Sequence, residues 1–170
     1  MANSRVWPYR LRAACFYWLL LPALVLGGGL LLDRLLGLPR FSLSGLPLAG
    51  AVVLVLTGCA FIFQSTRDLE RLGGGTPSPA QPARRLVTGG SYALCRHPMF
   101  LGYDLAALGI VLLLGSFGAL LVGLPLMLLW ELRFLRREEH ILFLRFADEF
   151  ARYRCRVPLL LPWYARRSSP

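Results

Sequence analysis

Lysine is missing from this chain: all nineteen basic residues among its 170 are arginines. A Schiff-base lysine and a P-loop lysine are therefore excluded, with the chemistries that need them. The lack itself reads as the codon usage of a GC-rich genome. Acidic residues are scarce, nine in all, which leaves a formal net charge of +10. Cysteine occurs only as four scattered residues, Cys15, Cys59, Cys95 and Cys155. They form neither a CxxC pair nor a zinc-ligand spacing, so no metal and no disulfide is expected. Cys15 and Cys59 fall in apolar runs, where a free thiol behaves as a small hydrophobe.

What the chain has in quantity is apolar surface. Hydrophobic residues make up 56% and charged residues 16%, with a mean hydropathy of +0.56, a composition suited to lipid rather than water. The positive charge does not point to nucleic acid, because a basic DNA-binding domain would not also carry several long charge-free apolar runs.

Four such runs predict four transmembrane helices. The first covers residues 13–32, close to the ~20 needed to cross the hydrocarbon, and follows Arg5, Arg10 and Arg12. It exceeds the apolar core of a signal peptide, and no A-x-A site follows it; Pro22 is a candidate kink. A short connection from Asp33 to Gly45 leads to the second run, 46–63, which ends at Arg67, Asp68, Glu70 and Arg71. Residues 73–83, GGGTPSPAQPA, have loop composition. The third and fourth runs, 100–114 and 119–135, flank Gly115-Ser116-Phe117-Gly118 and read as a tight hairpin with short arms.

With the N-terminus in the cytoplasm, seventeen arginines lie on that side and only Arg34 and Arg40 on the other, a strong positive-inside bias. Both ends of the chain and the central loop then share one face. Beyond the hairpin, Leu135, Leu142, Phe146, Phe150 and Tyr153 recur at helical spacing and predict an amphipathic helix on the membrane surface. A plain surface anchor would explain that stripe equally well. The fold expected is all-α: a multi-pass membrane protein with about four spans and a C-terminal cytoplasmic amphipathic helix.

Polar residues capable of chemistry gather in two stretches, 84–102 and 131–163, which the topology brings to one face. His97 stands between Arg96 and Pro98 at a helix entrance, where Pro suits the first turn and free backbone N–H groups can meet an anionic ligand. A helix start with an interfacial imidazole is the simpler alternative. Glu138 and Glu139 follow Arg136 and Arg137, a pattern also common on solvated helix faces.

The ordered series Leu86-Val87-Thr88, Tyr92, Arg96-His97-Pro98, Gly102, Glu138-Glu139, Phe146, Glu149, Tyr153 and Val157-Pro158 resembles isoprenylcysteine carboxyl methyltransferases and their phospholipid methyltransferase relatives. The likeness covers about residues 84–163. It implies that S-adenosylmethionine contacts Leu86, Val87, Tyr92, His97, Pro98, Met99, Phe100 and Glu138, and that a lipophilic substrate enters from the bilayer. Three positions differ from the family pattern. Phe100 replaces a frequent Tyr, and Phe134 stands where isoprenylcysteine enzymes place a substrate-contacting Arg. No polar counterpart to a further cofactor contact precedes Leu86, although Arg84 and Arg85 are near.

The expectations that follow are specific. Glu138, in line with Leu142, is read as the carboxylate for the methyl donor, with Glu139 turned toward solvent or headgroups. Arg133 is read as taking over an anionic contact to the acceptor. The acceptor expected first is an isoprenylcysteine-type carboxylate, then a phospholipid headgroup amine or a thiol. Behind these stand a sterol-type reductase using NADPH, against which the paired glutamates argue, and a non-catalytic scaffold. The location expected is a bacterial cell membrane with the active site facing the cytoplasm; membrane lipid is a partner, nucleic acid and metal are not.

Overall fold

The computed structural model describes residues 21–77 and 82–161. These residues form four α-helices: α1 (Leu21–Leu36), α2 (Gly45–Gly73), α3 (Pro98–Leu114) and α4 (Leu124–Arg156). A 3-10 turn (Gly90–Ala93) precedes α3, and one turn of π-helix (Ala119–Gly123) leads into α4. No strand occurs among the described residues, as the all-α reading expects.

Element lengths follow helix-stopping chemistry more than hydropathy. The apolar run 46–63 continues as helix through its charged end to Gly73, where Gly74 takes the left-handed conformation and its N–H bonds to the Glu70 carbonyl at 3.2 Å. Charge does not end a helix; glycine does. Asp33 and Arg34 likewise belong to α1, not to the following connection. The fourth apolar run and the amphipathic segment, expected as two elements, are one 33-residue helix, because residues 131–146 contain no Gly or Pro. Its regularity breaks only at Ala147, with φ 38° and ψ −114°. Residues 13–20 of the first predicted span lie outside the described residues, as do Cys15, Trp163 and the N-terminal arginines.

Among the described helices, α2 is long and apolar enough to cross a membrane, and α3 is apolar but shorter at 17 residues. Leu46, Val53, Leu56 and Phe63 of α2 are all more than half exposed, an outward face suited to lipid.

Two interfaces are made by close backbone approach. In the antiparallel pair α2–α3, a Cβ on Gly58 would meet the Gly102 carbonyl and Ala106 nitrogen at 2.5 and 2.6 Å, and one on Gly109 would meet the Ala51 carbonyl at 2.7 Å. In the second, Gly29 and Val25 of α1 lie against Gly118, Ala119 and Gly123. Here buried Asp33 accepts the Gly118 N–H at 2.7 Å, supplying a partner at a helix start. Val25, Val111, Ala119, Leu124 and Met127 form the core where α1, α3 and α4 meet. Gly115 closes α3 with φ 64°, pressed so tightly on the Phe41 carbonyl that a side chain would collide.

Candidate active site

The loop before α3 is tied first to the end of α2. Asp68, one turn before that end, accepts the Ser91 N–H and hydroxyl, both at 2.7 Å, and the Gln64 amide at 2.9 Å. Burial pushes its carboxyl upward, but the Ser91 bonds, Gln64 and the nearby Arg71 outweigh that and hold it below the ordinary carboxylate value. Gly90, at φ 63°, lies directly on this carboxylate, where any β-carbon would collide. Val87 is buried against Gly73, and Leu86 beside it is half-buried.

The loop is tied next to α4. Arg96 donates from Nε to Glu139 Oε1 at 2.6 Å, and from Nη1 to the carbonyls of Arg154 at 3.0 Å and Val157 at 2.6 Å. The backbone N–H groups of Arg96 and His97 bond to the Pro158 and Leu159 carbonyls, and the Tyr153 hydroxyl donates to the Tyr92 carbonyl at 2.6 Å. The two polar stretches of the sequence therefore meet at one end of the helices. Burial pushes the Tyr92 and Tyr153 hydroxyls well above their ordinary range, so both remain protonated donors. It also pushes the Cys95 thiol up to about 11, which leaves no thiolate nucleophile at neutral pH.

Glu139 corrects the expected helix face. Its side chain is 11% exposed and faces Arg96, not solvent. The reason lies in the spacing: Glu131, Leu135 and Glu139 recur every four residues on the buried side of α4. Burial raises the Glu139 carboxyl, but His97 and the Arg96 guanidinium outweigh it and hold it low. Glu138 is half-buried beside it, with no hydrogen bond or ion pair to the described residues. His97 is buried, and its Nε2 lies 3.8 Å from Glu139 Oε1 without a hydrogen-bond partner. Pro98 opens α3 and is buried, with Met99 and Phe100 half-buried behind it. Arg133 is not brought to this cluster: it is exposed, two residues and about 200° around the helix from buried Glu131. Besides Arg96, which is paired with Glu139, Arg136 and Arg154 stand near it and with Glu139, His140 and Phe143 line an open cleft of about 320 Å³.

From His97 the site continues between α3 and α4 in antiparallel register. His97 lies opposite Glu139, Phe100 packs on Phe134 at 5.6 Å between ring centres, and Asp104 and Glu131 come within hydrogen-bonding reach of each other. Asp104 Oδ1 and Glu131 Oε1 are both buried without a partner, and Glu131 is only 3% exposed. Sequence reasoning passed over this pair. The signal was available: Asp104 is the one acid inside the run 100–114, and an ionisable residue in an apolar span marks function by default.

Residues 46–149, more than half of the chain, match the protein-family model described as phospholipid methyltransferase. The chain is similar to a protein-S-isoprenylcysteine O-methyltransferase of Schizosaccharomyces pombe (strain 972 / ATCC 24843), with 41% identity over 78 residues. That alignment takes in 45% of this chain and 33% of the relative, so the chain spans about a third of that relative's length. No solved structure matches the chain.

Proposed function

The chain belongs to the phospholipid methyltransferase family, and from that premise we propose that it transfers a methyl group from S-adenosylmethionine to a lipophilic acceptor arriving through the bilayer. One observation carries this reading. Arg96 and Tyr153 fasten the loop to α4 at the end of the helices, while His97 Nε2 makes no hydrogen bond there and the Glu138 carboxylate makes neither a hydrogen bond nor an ion pair to the described residues.

Those free groups fit the donor. Glu138 would hold its amino or sulfonium part through charge, and the N–H groups at the start of α3 would hold its carboxylate. Leu86, Val87, Tyr92, His97, Pro98, Met99 and Phe100 would enclose the rest. The bound donor supplies a methyl group already activated as a sulfonium. The protein's own part is to align the acceptor with that methyl and to exclude water, which favours a buried, fastened loop over a flexible one. The acceptor that the resemblance puts first is an isoprenylcysteine-type carboxylate oxygen.

The membrane arrangement we favour has four crossings, with both termini and the central loop on the cytoplasmic side of a bacterial cell membrane. The arginine bias supports it, as does the pairing of residues 158–159 with the loop at 96–97. Single cysteines replacing Ser42 and Arg85 in a cysteine-free chain should react from opposite sides; labelling from one side only would reject four crossings.

The function is tested in two steps. Calorimetric titration of the purified protein with S-adenosylmethionine should give saturable binding, and NADPH none. Membranes given labelled donor should then place label in the lipid or lipidated-protein fraction. Label confined to soluble products, or tight NADPH binding without donor binding, would overturn the reading.

A further inference from the structure

The cleft beside Glu139 lies on a different face of α4 from the proposed donor carboxylate. Arg136 and His140 stand two residues before and after Glu138, about 200° around the helix from it. With Phe143 they form one stripe, and Arg154 completes the lining. On an unbroken helix Arg154 would stand about 27 Å from Arg136, at ~1.5 Å per residue. The break at Ala147 brings it back, and the φ of 38° there is strained for a residue with a β-carbon.

The fold thereby gathers like charge. The guanidiniums of Arg96, Arg136 and Arg154 share this neighbourhood with one carboxylate, Glu139, which Arg96 already engages at 2.6 Å. The side chains of Arg136, His140 and Arg154 make no hydrogen bond or ion pair to the described residues. Guanidiniums drawn together repel one another until an anion accepts N–H bonds from more than one of them, and a phosphate group has the charge and the several oxygens to do so. The cleft also stands at headgroup height. Gly102 of α3 packs on Ile62 of α2, so the start of α3, four residues earlier, is level with Thr66 in the charged end of α2. Glu139 lies beside His97 at that same start. A free ion would leave Phe143, 47% exposed in the lining, uncovered; the glycerol and upper acyl chain of a lipid cover it.

We propose that this cleft binds the phosphate of an anionic phospholipid that is not the methyl acceptor. Arg136 and Arg154 donate to its oxygens, His140 stands at the edge, and Phe143 lies against the glycerol. A lipid seated here has its headgroup on the side of α4 turned away from Glu138, so it presents no atom to the donor. It joins the two parts of α4 across Ala147 instead, since Arg154 lies between Tyr153 and Val157, which fasten the loop before α3. The site does not rest on the methyl-transfer reading.

The test is calorimetric titration of the full chain in maltoside detergent with dihexanoyl phosphatidylglycerol, dihexanoyl phosphatidylcholine and inorganic phosphate, with protein-free micelles subtracted. The wild-type chain should bind phosphatidylglycerol, which has no amine, at one site per chain and roughly tenfold or more tightly than phosphatidylcholine. Arg136→Gln and Arg154→Gln should each remove most of that preference. Arg152→Gln should keep it, because Arg152 is exposed and lies two residues and about 200° around the helix from Arg154 while carrying the same charge. No preference in the wild type, or an equal loss in Arg152→Gln, reduces the effect to overall basicity and overturns the proposal. Inorganic phosphate bound as tightly as the lipid overturns the assignment to a lipid. If the variants do not fold, the three wild-type titrations decide the matter.

Discussion

The two seams on either side of α3 are built on opposite principles. Toward α2, glycines bring backbones together, and no polar side chain intervenes between Gly58 and Gly109 and their partners. Toward α4, beyond the apolar core around Val111, Leu124 and Met127, the seam holds an imidazole, an aromatic pair and two acids, with three buried polar atoms that make no hydrogen bond. In lipid the first arrangement is how helices associate, since apolar burial gives no advantage there and close packing must supply the attraction. The second is costly as packing. The chain thus holds α3 by close backbone packing on one side and sets polar side chains against its other side, where we propose the chemistry.

The largest expected effect breaks the rigid side. Gly58→Leu puts a side chain into the Gly102 carbonyl, backbone that cannot give way, and should cost about 3 kcal/mol or more, enough to abolish the folded protein in detergent. Phe134→Leu on the other seam should lose only about 1 kcal/mol, because the ring is half-buried and its neighbours can close in. Thermal unfolding of the two variants compares the seams directly. Equal losses would show that both are structural.

The paired glutamates give the next contrast. Glu138→Gln keeps the shape and removes the charge proposed to meet the donor. S-adenosylmethionine affinity should fall roughly ten- to a hundredfold, the worth of a charge-assisted contact of ~1.5 to 3 kcal/mol, with little change in melting temperature. Glu139→Gln should do the reverse, lowering the melting temperature by loosening Arg96 from α4. An unchanged dissociation constant for Glu138→Gln, beside a large loss for Glu139→Gln, would reassign the donor's carboxylate.

Acid should reveal the same division. Glu139 and Asp68 are both held below their ordinary values in the folded protein. Their stabilisation is complete above the unfolded carboxylate range, near ~4, and disappears as pH falls through the lowered folded values. Wild-type melting temperature should therefore drop below about pH 4, and Glu139→Gln should flatten part of that drop. A parallel fall in wild type and variant would deny Glu139 its part.

How much of this was legible in the sequence depended on whether a residue's partner was local. The start of α3 could be read from Pro98, and the turn at Gly115 from its Gly-Ser-Phe-Gly context, because both are settled within a few residues. The length of α2 was missed because Arg67 to Arg71 looked like an end, while an amphipathic tail continues a helix until glycine stops it. The inward turn of Glu139 was obscured by counting forward from Glu138 to Leu142 instead of back to Leu135. The Asp104–Glu131 pair needs the α3–α4 register, which no single segment carries. Arg96 was read as part of a motif, but its three-way hold depends on Glu139, 43 residues away, and on Arg154 and Val157, 58 and 61 residues away.

The smallest effect belongs to Arg133, the residue proposed to receive an anionic group of the acceptor. It is exposed and lies on the side of α4 away from Glu131 and Leu135, so it cannot reach the reacting atoms and can act only where the acceptor enters. An exposed charge contributes little, because water and salt screen it; ~0.2 to 1 kcal/mol corresponds to a change of about fivefold at most. Arg133→Ala should therefore raise the KM for the lipophilic acceptor by no more than that, leave kcat within twofold, and leave S-adenosylmethionine affinity unchanged. Raising the salt concentration should shrink the difference between wild type and variant. If Arg133→Ala weakens use of a purely cationic amphiphile as much as that of a zwitterionic one, the effect is not an anionic contact, and the assignment of Arg133 fails.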